Sequence, residues 1–597
     1  MIFCVRTPFY RLLSAIGLLS LYTIILGTQA CGQPPATKKQ ATRPVQVPIA
    51  YSTDQQLLAK GQQLFQQNCS ACHNFLQKGI GPNLAQVTAE VSPQWLKKFI
   101  HNAPAVIASG DARATKLYKE YQQYMPAFAS LRDADLHALM SFIHSRQKSA
   151  AGPADDKRLG DALKDPIPTK IQKSGLRLNL EKVTTAPATA DQVPLARITK
   201  MGVLPGASGQ KDRQFIVDHR GQLYEMEDNQ LRLFMDMNKE RAGFINKPGL
   251  ATGFGSFAFH PEFYRNGLLY TTHTEKAKAA PADFAYADSI KVTLQWVLTE
   301  WKMNNPTSPA FNGTGRELFR VNMVSPIHGM QEITFNPLAK PGRPDYGLLY
   351  IGIGDGGAAE NGFYFICNDN TNIWSSVLRI DPQGKNSRNG RYGIPATNPY
   401  ANSTNPAVKK EVFCRGFRNP NRICWAPDGK MLITDIGHAN AEELNIGIAG
   451  ADYGWPEREG TFVINHRGKM ANVYALPQKE RTYTYPVAEY DHDEGNAISG
   501  GFVYTGTAIP ELADKYIFGD IVNGRVFYVD SRQLKLGEQA TVQELDIQLN
   551  GAVTDFRTLS GSKKTDLRFG QGLNQDLYLF TKADGAIYKV VGSSMVK

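Results

Sequence analysis

Phe257-Ala258-Phe259-His260-Pro261, closed by Gly267-Leu268-Leu269-Tyr270, is an apolar strand, a turn and a second strand in one short unit. The unit returns as Phe215 to Tyr224, as Ile333-Thr334-Phe335-Asn336-Pro337 to Tyr350, and as Cys424-Trp425-Ala426-Pro427 to Thr434. Two looser copies run from Phe502 to Phe518 and from Phe569 to Tyr578. Apolar runs bounded by Gly, Pro, Asn and Asp read as strands, and no helical period interrupts them. A small antiparallel unit cannot bury both faces alone, and radial repetition protects its edges. Residues 196–597 are therefore expected to form an all-β six-bladed propeller, one blade either way being open, with its site in the central channel.

Upstream the texture changes. Residues 149–195 are rich in Ala, Pro, Asp and Lys, with short apolar runs such as Leu176 to Leu180, and read as an interdomain linker. Residues 54–148 are helical in period: Leu57, Leu58, Gly61, Leu64 and Phe65 share one face, and Leu136, Leu139, Met140 and Ile143 share another on a helix that Asp133 is placed to cap. Two helices crossing at Gly61 would shelter a flat cofactor. That cofactor is named by Cys69-Ser70-Ala71-Cys72-His73. C-x-x-C-H attaches c-type haem, two thiols forming thioethers and the adjoining imidazole binding iron. Zinc would need further Cys or His ligands, and the next cysteine is Cys367.

Before the helices, Arg6 and Arg11 precede an apolar run from Leu12 to Leu26, with small residues around Ala30-Cys31. Residues 1–30 thus read as a signal peptide, and the protein as exported to a bacterial periplasm. Cys31 is either lipidated, which would attach the chain to a membrane, or simply follows a cleavage site after Ala30. Residues 31–53 read as a polar tether. The 597 residues, 42% apolar and 20% charged, describe a multidomain globular chain. Lys plus Arg number 66 against 55 Asp plus Glu, but the excess is scattered and forms no aromatic-interleaved stripe, which argues against a nucleic-acid partner.

Seven cysteines divide by position. Cys4 leaves with the signal, Cys31 is the lipid candidate, Cys69 and Cys72 hold haem, and Cys414 and Cys424 either staple the turn between them or stay as buried apolar residues, with Cys367 over.

The helical region resembles class I cytochromes c. Gly79-Ile80-Gly81-Pro82-Asn83-Leu84 is similar to the loop after the haem motif, and Tyr124-Met125-Pro126 to the loop carrying the distal ligand. His73 and Met125 are the implied iron ligands, a pair that raises the haem potential. The β region resembles the soluble glucose/sorbosone dehydrogenases. The likeness is carried by His328-Gly329-Met330-Gln331-Glu332-Ile333, Gly352-Ile353-Gly354-Asp355-Gly356-Gly357, Leu378-Arg379-Ile380-Asp381-Pro382, Gly416-Phe417-Arg418-Asn419-Pro420 and Tyr453-Gly454-Trp455-Pro456.

That resemblance implies a six-bladed propeller holding pyrroloquinoline quinone and Ca2+ and oxidising a sugar. His328 matches the catalytic base, Arg418 and Asn419 the quinone contacts, Arg568 a late cofactor arginine, and the carbonyls of Gly437 and His438 the calcium turn. The chain departs from the family where Ala251 replaces a glutamine, Val522 a lysine, Ile327 an acid before the base, and His438 a proline. Two readings follow. One is an exported quinohaemoprotein dehydrogenase passing electrons from a sugar through its own haem c to a respiratory or soluble acceptor. The alternative is a quinone-free carbohydrate- or surface-binding propeller fused to an electron-carrying cytochrome.

Overall fold

The computed structural model describes residues 51–597 except 71, 77–79, 122–124, 147–156, 208, 250, 478–481 and 597. The signal peptide, Cys31 and nearly all of the tether lie outside the described residues. No described helix is long and apolar enough to cross a membrane.

Four helices of ten residues or more build the described part of the first region: α1 (Gln55–Asn68), α2 (Pro93–Ala108), α3 (Ala112–Tyr121) and α4 (Asp133–Ser145). Asp54 caps α1, accepting from the Leu57 amide at 2.8 Å, and Ser92 caps α2 through the Trp95 amide at 3.1 Å. Asp133 does not cap α4. The cap is Arg132, and Asp133 is the first helical residue, where its charge faces the positive helix end and pairs with Lys97 at 2.9 Å. The helices α1 and α4 cross at Gly61 as the periodicity predicts: a Cβ there would lie 2.0 Å from the Ala138 carbonyl oxygen. Leu136, Leu139 and Ile143 are buried beside Phe65, each contributing roughly 1.5–3 kcal/mol. Met140 is core, 1% exposed.

The β region opens earlier than its composition suggests. Residues Gln172–Thr185 form β1, so the linker ends there and not at residue 195. Leu176, Leu178 and Leu180 point inward with Arg177 and Asn179 between them, a two-residue period too short to stand out from its polar surroundings. Even before β1 the chain is packed, with the Leu163 amide donating to Val473 at 2.8 Å and the Ile167 amide to Asp491 at 3.2 Å.

Six four-stranded antiparallel units follow. The first is β2 (Ile198–Leu204), β3 (Arg213–Asp218), β4 (Gln222–Glu227) and β5 (Gln230–Asp236). The second is β6 (Phe254–Phe259), β7 (Leu268–Lys276), β8 (Leu294–Met303) and β9 (Gly313–Met323). The third is β10 (Glu332–Phe335), β11 (Leu349–Ile353), β12 (Ser376–Ile380) and β13 (Val412–Arg415). The fourth is β14 (Pro420–Trp425), β15 (Met431–Asp435), β16 (Ala441–Gly447) and β17 (Ala488–Asp491). The fifth is β18 (Ile498–Val503), β19 (Lys515–Asp520), β20 (Val526–Asp530) and β21 (Gln543–Leu549).

The sixth takes three strands from the C-terminus, β22 (Leu567–Gln571), β23 (Leu577–Thr581) and β24 (Ala586–Met595), and its fourth is β1. Leu178 of β1 faces Ser593 of β24 antiparallel and Ile547 of β21 parallel. Hydrogen bonds thus join the first strand to the last. The six repeats found in the sequence each fall on one unit. Five mark the first two strands, whereas Phe215 to Tyr224 marks the second and third of its unit. Cys414 and Cys424 sit on β13 and β14 in separate sheets and are not bonded, which leaves them as packed thiols.

Candidate functional site

Two sites lie in the described chain. In the helical region Cys69 and His73 are held by one turn, the His73 amide donating to the Cys69 carbonyl at 2.9 Å. His73 Nδ1 faces the Pro82 carbonyl oxygen at 2.9 Å. This contact fixes the proton on Nδ1 and leaves Nε2 for a metal, the arrangement that orients a ligating imidazole. A Cβ on Gly81 would fall 2.5 Å from His73 Cε1, so only glycine lets the loop close on the ring. Met125 is half-buried against the same core as Cys69 and Phe65. A paired thiol loop with an oriented imidazole fits covalent haem.

The second site gathers loops at one end of the β units. His328, between β9 and β10, holds φ at +52°, a left-handed backbone costing about 1–3 kcal/mol in a residue that is not glycine. Its Nδ1 lies 2.7 Å from Asp355 Oδ1. Asp355 is itself fixed by the Gly357 amide at 2.7 Å and by Trp455 Nε1 at 3.2 Å. Gly354 permits the approach, since a Cβ there would lie 2.7 Å from both His328 Cβ and the Arg418 carbonyl oxygen. The imidazole is pulled below its ordinary value by burial first and by Arg418 next, against Asp355. With Nδ1 turned to Asp355, Nε2 is left as its basic atom.

Arg418 is buried and ion-paired with Glu360, and it donates to the Gly437 carbonyl at 2.6 Å. His438 Nδ1 lies 3.1 Å from the same Glu360 carboxylate. Burial acts to raise the Glu360 carboxyl, but Arg418 and His438 outweigh it and hold the group below the usual carboxylate range. Three buried polar atoms here have no hydrogen-bond partner: Arg418 Nε, Asn419 Oδ1 and His438 Nε2. Unsatisfied groups at such depth are uncommon and suit a polar ligand.

The helical region sits over these loops. A Cβ on Gly362, two residues past Glu360, would lie 3.3 Å from Leu76 Cδ1 of the haem loop. Lys563 Nζ stands 4.7 Å from the Tyr118 ring centroid. Burial pushes the Cys72 thiol up to about 11, and the charges acting on it next are Lys564 and Glu360, both from the β region.

The family model described as Glucose / Sorbosone dehydrogenase matches residues 210–554, more than half of the chain. The chain belongs to the glucose/sorbosone dehydrogenase family. A cytochrome c model matches residues 58–147, which implies haem c in this family member. Among its relatives is the HIPL1 protein of Arabidopsis thaliana, 23% identical over 57% of this chain and 53% of its own length. Another is the human Hedgehog-interacting protein, 26% identical over 60% of this chain and 46% of its own. Quinoprotein glucose dehydrogenase B of Acinetobacter calcoaceticus is 24% identical over 36% and 42%. The chain spans about half the length of the curated relatives it matches.

The expected residues of this family member divide. His328, Arg418, Asn419 and His438 are brought together, whereas Arg568 stands on β22 within Coulombic reach of Asp566, Arg422 and Asp520. Where Ile327 offers no acid, Asp355, read in the sequence only as part of a glycine turn, stands 2.7 Å from His328. Glu360 was missed altogether, because nothing in Ala358-Ala359-Glu360-Asn361 marks it as buried and paired. The calcium turn does not fit. Its Gly437 carbonyl accepts a guanidinium, and a calcium ion would have to bind the same oxygen beside that positive charge.

Proposed function

We propose that this chain is a haem-linked sugar dehydrogenase, in which six β units closed as a propeller oxidise a sugar hydroxyl beneath the cytochrome. The observation that carries the reading is the His328–Asp355 pair, 2.7 Å apart and placed at the loop end against which Leu76 of the haem loop packs. Oxidation of a carbinol removes two electrons and two protons. His328 Nε2 accepts the hydroxyl proton, Asp355 stabilises the imidazolium that forms, and general-base catalysis of this kind is worth about 10²- to 10⁴-fold. Pyrroloquinoline quinone fits the polarity of the site: Arg418 and Asn419, whose Nε and Oδ1 are without partners, would hold it, and when bound it would supply the two-electron acceptor. Covalent haem on Cys69 and Cys72, with His73 and Met125 on the iron, supplies a one-electron outlet. Export, lipid attachment at Cys31 and a respiratory or soluble acceptor complete this reading.

A second reading, a quinone-free binding propeller, is favoured by one feature: the Arg418 guanidinium is already neutralised by Glu360. Purified protein given quinone and a panel of aldoses decides between them. Reduction of the haem, lost in His328→Ala, supports the dehydrogenase. A haem that stays oxidised with every sugar supports the binding module.

A further inference from the structure

The site around His328 is bounded below and above by groups that the mechanism does not use. Below it, the first strands of successive units are linked in turn. Lys200 of β2 donates to the Ser256 hydroxyl of β6 at 3.2 Å, and that oxygen accepts from the Ile333 amide of β10 at 3.2 Å. Glu332 of β10 pairs with Arg422 of β14 at 3.1 Å, and the Asn421 side chain of β14 donates to the Ile498 carbonyl of β18 at 3.1 Å. The Ser499 hydroxyl of β18 donates to the Leu567 carbonyl of β22 at 2.8 Å, and Gly570 of β22 pairs with Met201 of β2.

In the ring proposed above, the first and fourth units face each other across the axis, as do the third and sixth. Arg422 of the fourth unit also donates to the Thr199 carbonyl of the first, so its guanidinium crosses the channel. Glu332, 1% exposed, holds both Arg422 and Lys200, and Lys200 Nζ donates in addition to the Ile333 carbonyl at 2.7 Å. A buried carboxylate shared by two cations is costly to pull apart. Arg422 lies four residues past Arg418, and Glu332 four past His328, along strands that lead away from the site. This network is therefore the floor of the site and bars the channel beneath it.

The helical region covers the other side. Gly362, in the loop between β11 and β12 of the third unit, would carry a Cβ 3.3 Å from Leu76 Cδ1 of the haem loop. Lys563, in the loop before β22 of the sixth unit, sets its ammonium 4.7 Å from the ring centroid of Tyr118 on α3, a cation–π contact. The charges that act on Cys72 come from the same two loops, Lys564 and Glu360. These contacts fall on units that face each other in the proposed ring, so the helical region spans the mouth instead of leaning on one side of its rim.

We propose that the helical region sets the length of the substrate: docked across the mouth above a closed floor, it admits a monosaccharide to His328 and excludes a saccharide chain, whose further rings would meet Leu76. The inference rests on the ring and sugar-dehydrogenase readings above for the class of substrate, and the docking is measured apart from turnover. Leu76→Asp combined with Lys563→Glu removes both contacts and puts a carboxylate into an apolar seam, which should loosen docking about tenfold or more. In the full haem-loaded protein, amide exchange over residues 359–366 and 562–565 should quicken by about that factor in the double variant, while β7 and β8 stay as they were. An unchanged Soret band shows that the haem site is intact. D-Glucose and maltotriose are then compared by calorimetric titration and, with pyrroloquinoline quinone supplied, by kcat/KM for haem reduction. The wild type should favour glucose about 100-fold or more, and the double variant should lose about tenfold of that preference. Exchange equally fast in both proteins overturns the docking. A wild type that takes maltotriose as readily as glucose, a double variant that keeps the whole preference, or a protein that binds neither sugar overturns the length limit. Haem reduction by both sugars alike leaves the dehydrogenase without the limit. Glucose-selective binding beside a haem that no sugar reduces leaves the limit and removes the dehydrogenase.

Discussion

In the helical region the groups proposed to hold haem lie between Cys69 and Pro82, joined by Met125 from farther along. In the β region His328, Asp355, Glu360, Arg418 and His438 come from four loops of neighbouring units. A site built from one turn depends on spacing, which covalent geometry fixes. A site built from several loops depends on the sheets that hold them, and each charge is set by neighbours distant in sequence. The first should therefore fail completely when one link is removed, while the second should degrade by graded amounts as its electrostatics change.

The sharpest break is Cys69→Ala combined with Cys72→Ala. With both thiols gone no thioether can form, and denaturing extraction should recover all haem free of the polypeptide. Haem that remains bound to the double variant after extraction would contradict the assignment.

A smaller effect is expected at Asp355→Asn. The carboxylate that holds His328 Nδ1 at 2.7 Å would be lost as an anion, and turnover should fall about 100-fold or more. The pH profile carries the distinguishing sign. A base works only when deprotonated, so kcat/KM should rise with pH through the His328 pKa and be level above it. Burial and Arg418 already hold that pKa below the ordinary histidine value, while Asp355 acts to raise it. Removing Asp355 should move the acid limb to lower pH as the plateau drops. A lower plateau with an unmoved limb would mean that Asp355 is only a packing residue.

Smaller still is Met125→Ala. Loss of a thioether that favours ferrous iron should shift the Soret band and lower the haem potential while leaving the covalent haem in place. An unchanged spectrum would put the sixth ligand elsewhere.

How far each site could be read from the sequence follows the same contrast. The cytochrome c region and the Gly61 crossing were legible because helical period and fixed spacing are local properties. The β-rich second region was legible as well, since each repeat falls on neighbouring antiparallel strands. What stayed hidden depends on pairing at a distance. β1 looked like linker because five alternating residues carry little signal until β24 and β21 lie beside them. Asp355 looked like a turn residue, and Glu360 like any surface acid, until the sheets brought His328 and Arg418 to them. The calcium turn was expected from motif resemblance, which says nothing of the guanidinium that occupies its carbonyl.

The most direct test joins both regions in one signal. Oxidised full-length protein, supplied anaerobically with pyrroloquinoline quinone and an aldose or aldose acid, is followed at the haem absorption bands in a stopped-flow instrument. Reduction of the protein's own haem should be intramolecular, with a rate independent of protein concentration, and His328→Ala should slow it about 10²- to 10⁴-fold without changing the oxidised spectrum. A haem that stays oxidised, or one reduced equally fast in His328→Ala, would contradict the account.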